Sequence, residues 1–228
     1  MTPLLLIPGM MCDARMWGGL PAALAPRIVH HAPPMVAEDM SEIAAQVLAT
    51  APETFALAGL SMGGIVAMEI VRQAGHRVER LALLDTNPLA EPDDIRARRQ
   101  PQIDRALAGD LKSVIRDEMK PNYLANPDDA VLLNLCMDMA LGLGPEVFCS
   151  QSRALRERRD QTAILAGYFR PALVLMGEHD RPCPRARHDL MHRLMPQSRL
   201  KIVAGAGHLP PLEQPEETLL AFRKWLDE

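Results

Sequence analysis

Short, wholly apolar runs alternate with longer amphipathic stretches along most of this chain. Leu4-Leu5-Leu6-Ile7 has the pattern of a buried strand and stops at Pro8-Gly9. Residues 27–31, 55–58, 80–85, 172–176 and 200–203 repeat that pattern. Helical spacing fills the gaps: about 14–24, closed by Pro26, and 41–48, with Ser41 placed to cap it. Residues 65–71 are apolar on nearly every face, and Gly75 closes that helix. A last helix opens at Pro215, with Glu216 and Glu217 in its first turn and Leu219, Phe222 and Leu226 on one face. Buried strands separated by helices predict an α/β fold, a parallel sheet of about six strands with helices on both faces. In such sheets the chemistry gathers at the carboxyl ends of the strands.

The alternation breaks between residues 87 and 170. That interval holds helical patterns near 93–107, 111–119, 128–141 and 146–158, separated by Gly109, Pro121, Pro127 and Gly142-Leu143-Gly144-Pro145. A helical block between two strands of one sheet is expected to form a cap over the active face, within a single domain spanning 1–228. Hydrophobic content of 48% and charged content of 24% are those of an ordinary globular chain of this length. The net charge of -4 argues against nucleic acid as the main partner. No apolar run is read as a membrane span, and the N-terminus lacks the basic lead of a signal peptide. The four cysteines are widely spread with no C-x-x-C pair, so neither zinc nor a redox motif is expected, and a cytoplasmic location is.

The chemistry centres on Gly59-Leu60-Ser61-Met62-Gly63. Alone, G-x-S-x-G is a weak pattern. Set between an apolar strand and an apolar helix it reads as a nucleophile elbow, with the Ser61 hydroxyl raised at the top of the sheet. A serine needs a neutral imidazole to accept its proton and a carboxylate to orient that imidazole. His208, in the loop after the last strand, is the best placed of the seven histidines. His188 and His192 lie four apart with no acidic partner in an H-E-x-x-H arrangement and read as an exposed helix face. For the carboxylate, Asp180 follows the fifth strand and Asp85 closes the fourth. Both keep the order Ser…Asp…His; Asp180 is preferred, with Asp85 read as a loop or cap residue. Backbone N–H groups of Met62 and Met10 are expected to form the oxyanion hole, and Met10, Met11 and Met62 to line the substrate pocket. Two arginine groups in the cap, Arg96, Arg98 and Arg99, then Arg153, Arg156, Arg158 and Arg159, read as solvated helix faces, with binding of an acidic substrate as the alternative.

Together these residues resemble the α/β-hydrolase superfamily, specifically its small bacterial esterase and lactonase-like members with a helical cap. The resemblance is carried by Leu6-Ile7-Pro8-Gly9-Met10, Gly59-Leu60-Ser61-Met62-Gly63-Gly64, Gly177-Glu178-His179-Asp180, Gly207-His208-Leu209-Pro210 and Leu212-Glu213-Gln214-Pro215-Glu216. Two departures stand out. Pro8-Gly9 replaces the His-Gly of many relatives, and the first strand starts at about residue four where relatives usually have two strands before it, which predicts a smaller, largely or wholly parallel sheet of six strands. The resemblance implies a serine hydrolase without metal or organic cofactor and says little about substrate; the methionines near the site point to small, mainly uncharged esters. An enol-lactonase or carbon–carbon bond hydrolase is the alternative, and a hydrolase-fold ligand sensor a third reading.

Overall fold

A computed structural model describes residues 1–33 and 35–227. Strands β1 (Leu4–Ile7), β2 (Val29–His31), β3 (Phe55–Leu60), β4 (Val78–Leu84), β5 (Ala172–Gly177) and β6 (Arg199–Val203) form one six-stranded sheet in the order β2-β1-β3-β4-β5-β6. Every pair is parallel. Side chains alternate across the strands and divide the core in two. Leu5, Ile7, Leu57, Leu81, Leu83 and Val174 pack with Ile43, Ala44 and Val47 of the helix Met40–Thr50 and with Val66, Ala67 and Ile70 of the helix Met62–Ala74. Leu4, Leu6, Ala58, Leu84, Leu175 and Val203 face the other way, onto Trp17, Leu20 and the Phe222 and Trp225 rings of the helix Pro215–Asp227. Burial on both faces is why the strands read as continuous apolar runs.

The chain leaves β1 toward β2 on one side and returns to β3 on the other. Strand order therefore reverses between β1 and β3, and their carboxyl ends open a crevice at that point. The turn Pro8-Gly9-Met10 leaves β1 there, and Ser61 leaves β3 there.

Local chemistry modifies some expected boundaries. The stretch 14–24 is a 3-10 turn, Ala14–Trp17, and a short helix, Leu20–Ala23, because Gly18 takes φ 53 between them. Asp39, not Ser41, caps the second helix, accepting the N–H groups of Ser41 (2.7 Å) and Glu42 (3.2 Å). Between β4 and β5 the described residues contain helices only. Asp93–Arg105 loosens into wide turns at Ala106–Asp110 and Val114–Met119 on either side of a short α-helical turn, Leu111–Ser113, with Gly109 at φ 91, and then Lys120–Asn122 forms a 3-10 turn. The long element Ala130–Arg156 has the length and hydropathy to cross a bilayer, which the sequence reading missed. Gly144, at φ 83, breaks it before Pro145. Each piece is shorter than the roughly 20 residues a bilayer core requires. The last short helix, Thr162–Ala166, packs on the helices Met62–Ala74 and Arg185–Leu194, so the end of the inserted segment belongs to the body of the fold.

Candidate active site

Ser61 has φ 54 and ψ −118, a conformation that non-glycine residues rarely hold. Besides the Ile65 N–H, which donates to the Ser61 carbonyl at 3.3 Å, three bonds fix this residue there. Its N–H donates to the Leu84 carbonyl (2.9 Å), and its own carbonyl accepts the Gly64 N–H (2.9 Å) and the Thr86 hydroxyl (2.7 Å). The flanking glycines permit the turn. A Cβ on Gly59 would overlap the Gly63 carbonyl, and one on Gly63 would overlap the Ile7 carbonyl. Met62, next in the chain, opens the helix Met62–Ala74, where backbone N–H groups have no partner within the helix.

His208 follows β6 in a loop held at several points. Its N–H donates to the Tyr123 carbonyl (2.6 Å), and its ring lies 5.6 Å from the Tyr123 ring. The Glu213 carboxylate accepts N–H bonds from Gly207 (2.9 Å), Leu209 (3.0 Å) and Ala125 (2.7 Å), joining the histidine loop to the inserted segment. His208 Nδ1 lies 2.8 Å from Asp180 Oδ1, with both side chains almost fully buried. That oxygen also accepts the Cys183 N–H at 3.0 Å. An Nδ1–H bound to the carboxylate leaves Nε2 as the acceptor.

Asp85 is not the loop or cap residue expected of it. It lies at φ 44 with a fully buried carboxyl, whose Oδ1 accepts the Gly177 N–H at 2.8 Å. Burial first, then the nearby Asp180 charge and a hydrogen bond to it, raise its pKa well above the usual carboxylate range. Burial beside the Asp180 charge thus favours the neutral form of Asp85. His188 differs from expectation as well. It is buried rather than exposed, its Nε2 accepts the Thr86 N–H (3.3 Å), and burial pushes its pKa down to about 4.

Ser61 and His208 open on one cavity of about 540 Å³, within the usual range for a small-molecule site. Met10 and Met62 line it, with Ile65, Met119, Tyr123 and Leu155. Met11 does not. It takes φ 55 in the core, and its N–H donates to Gln151 Oε1 (2.9 Å), so the inserted segment props the turn after β1. The arginines divide. Arg96, Arg98 and Arg159 are exposed, whereas Arg99 and Arg158 reach the cavity wall.

Among the described residues two groups bring potential metal-ligand atoms within 4.8 Å of one another: Asp180, Cys183 and His208, and Asp85, Asp180 and His188. Both use Asp180, which already holds His208, and burial raises the Cys183 thiol well above its usual range, keeping it protonated. Neither is a donor set suited to a resident cation. All four cysteines are buried and unpaired.

A sequence model described as the alpha/beta hydrolase family matches residues 4–221. The chain belongs to that family. Among curated relatives, a pimeloyl-[acyl-carrier protein] methyl ester esterase of Photobacterium profundum is 27% identical, covering 99% of this chain and 94% of that protein. One from Aromatoleum aromaticum is 25% identical over 94% of each. Among solved structures, a thermophilic esterase from Thermogutta terrifontis, with malate bound, superposes with a TM-score of 0.90 at 29% identity, over 100% of this chain and 90% of that one. The enol-lactonase from Burkholderia xenovorans shares the fold with a TM-score of 0.84 at 20% identity, over 100% and 91%.

Ser61, His208 and Asp180, singled out on sequence, are thus gathered at one crevice of an alpha/beta hydrolase sheet. Sequence reasoning missed Tyr123, Thr86 and Gln151, which act through tertiary contacts and have no local signature. Glu213 had a faint one: an acid shortly after Gly207-His208, at a spacing that lets its side chain fold back onto the loop.

Proposed function

We propose that this alpha/beta hydrolase is a carboxylic ester hydrolase working through an acyl-enzyme on Ser61. The reading rests on one observation above all: a strained serine and a carboxylate-bound histidine open on the same cavity. His208 Nε2 takes the Ser61 proton as Oγ attacks the ester carbonyl. The tetrahedral oxyanion forms beside the Met62 and Met10 N–H groups, each worth about 3–4 kcal/mol in such a role. His208 then protonates the departing alcohol, and water repeats the cycle to free the acid. Asp180 holds the imidazole in the required tautomer and offsets its charge at each proton transfer. The ester groups in the names of the curated relatives support the same chemistry, and the unpaired cysteines support a reducing, cytoplasmic setting.

The inserted helices supply Met119, Tyr123 and Leu155 to an apolar part of the cavity, which suits short to medium acyl chains. Hydrolysis of a p-nitrophenyl acyl-chain series by wild type and Ser61→Ala tests the reading. Turnover is expected in wild type and lost in the variant. Equal turnover by both would overturn it.

A second reading, an enol-lactonase or a carbon–carbon bond hydrolase, draws on Arg99 and Arg158, because such substrates carry carboxylates. Turnover of an enol-lactone with no turnover of open-chain esters would favour it.

A further inference from the structure

The cavity over Ser61 is unevenly charged. Arg99 and Arg158 lie on its wall, and Arg187 enters from the helix Arg185–Leu194. One carboxylate, Glu91, holds the first two. Its Oε1 accepts Arg99 Nε at 2.6 Å and Nη2 at 2.5 Å, and its Oε2 accepts Arg158 Nη1. Arg158 Nε also donates to the Leu89 carbonyl (3.1 Å). The Glu91 side chain is 1% exposed, that of Arg158 8% and that of Arg99 12%. The half-buried Arg187 has no hydrogen-bond or ion-pair partner for its guanidinium among the described residues.

The wall offers little else to balance these cations. Asp94 sits exposed in the first turn of Asp93–Arg105, and Asp180 is engaged by His208 and the Cys183 N–H. Guanidinium groups brought together with too few carboxylates are costly when screened from water. Arg158 shows that cost: burial lowers its pKa, and Arg99 and Arg187 lower it further against the opposing pull of Glu91. A ligand anion entering the open cavity would relieve it. The position also suits a substrate. Arg99 Nη1 is 4.0 Å from the sulfur of Met10, whose backbone belongs to the turn after β1. An ester carbonyl at Ser61 and an anionic group at the arginines can thus belong to one small molecule.

We propose that Arg99, Arg158 and Arg187 form a carboxylate subsite, so that the substrates are esters bearing a free carboxylate, such as half-esters of dicarboxylic acids. The planar guanidinium fork matches a carboxylate bidentately, which favours this anion. The proposal rests on the ester-hydrolase reading of Ser61 and replaces the expected preference for uncharged esters. Glu91 keeps Arg99 and Arg158 aimed at the cavity rather than neutralising the site.

The test compares monoethyl esters of four- to eight-carbon dicarboxylic acids with ethyl esters of the matching monocarboxylic acids, in wild type, Arg99→Gln and Arg187→Gln. Wild type should favour the half-ester by about 10-fold or more in kcat/KM, mainly through KM, and each variant should reduce that ratio several-fold. A purely structural role for the arginines would lower both substrates' rates together and leave the ratio unchanged. Arg99→Gln strips a partner from buried Glu91 and can impair folding; Arg187→Gln removes no internal partner and keeps the comparison decisive. Calorimetric titration of the free dicarboxylates into Ser61→Ala, with and without Arg187→Gln, separates the two layers. Hydrolysis of both ester classes with a ratio near one, insensitive to the arginines, overturns the subsite and leaves the hydrolase standing. Arginine-dependent dicarboxylate binding without hydrolysis of any ester supports the subsite and overturns the hydrolase. Neither hydrolysis nor binding overturns both.

Discussion

Asp85 and Asp180 are two buried carboxyl groups side by side, and exchanging each for asparagine should have very different consequences. Asp180 Oδ1 is 2.8 Å from His208 Nδ1. As His208 takes the Ser61 proton, an imidazolium forms against that carboxylate. With roughly 4 Å between charge centres and an effective dielectric constant near 20, their attraction is about 4 kcal/mol. Losing it in Asp180→Asn should lower kcat/KM by about 10³-fold, at about 1.4 kcal/mol per decade. An amide nitrogen facing Nδ1 would also favour the wrong tautomer and deepen the loss. Asp85→Asn replaces one neutral group with another. The amide oxygen can still accept the Gly177 N–H, and the amide N–H can take the place of a carboxyl proton facing Asp180. Its activity should stay within about 10-fold of wild type, corresponding to less than about 1.4 kcal/mol. Steady-state kinetics on a p-nitrophenyl ester, with urea melts to confirm folding, measure both. Equal losses would mean that the functional charge sits on Asp85 or is shared, and the assignment of the proton to Asp85 would fail.

Further perturbations probe other parts of the site. Gly59→Ala places a methyl group inside the Gly63 carbonyl, backbone against backbone, and should destabilise the fold by about 3 kcal/mol or prevent folding, as read by urea unfolding. Glu213→Ala leaves the N–H groups of Ala125, Gly207 and Leu209 without their carboxylate; a loss of about 3 kcal/mol is expected, with a lower kcat, and Glu213→Gln should recover part of each. His188 makes stability fall in acid. Its folded pKa of about 4 lies below the unfolded value near 6.5, so stability is complete above about pH 6.5 and is lost as pH falls toward 4. The full loss is about 3 kcal/mol, and His188→Asn should flatten the slope of unfolding free energy between pH 6.5 and 4.5. Glu69 acts in a lower window. Burial would raise it, but hydrogen bonds from Arg72, Gln73 and Gln161 bring it down to about 2, so its contribution is lost as pH falls from about 4.5 to 2, and Glu69→Gln should remove that step.

Much of the fold was legible because it rests on short-range patterns. Each of the six strands falls within two residues of its apolar run at either end, since burial on both faces demands continuous hydrophobicity. The serine turn was legible for a local reason too: only glycines permit the approach of Gly59 to Gly63. Helix starts were less so. Asp39 and Ser41 are both acceptable caps by type, and backbone direction chose between them. The helix near 14–24 failed at Gly18, whose positive φ no periodicity reveals.

The sequence by itself determined the strands, their parallel arrangement and the candidate set Ser61, His208 and Asp180, because each of those residues lies just beyond the carboxyl end of a strand and parallel strands bring those ends together. Tertiary structure alone decided what those residues face. Asp85 and His188 became buried partners because β4, β5 and the helix Arg185–Leu194 converge behind the crevice. Met11 turned away from the cavity because Gln151, far along the chain, takes its N–H. Arg99 and Arg158 left their solvent-facing neighbours because Glu91 draws both inward. Burial and charge pairing are sums over neighbours in space, and neighbours distant in sequence leave no periodic trace.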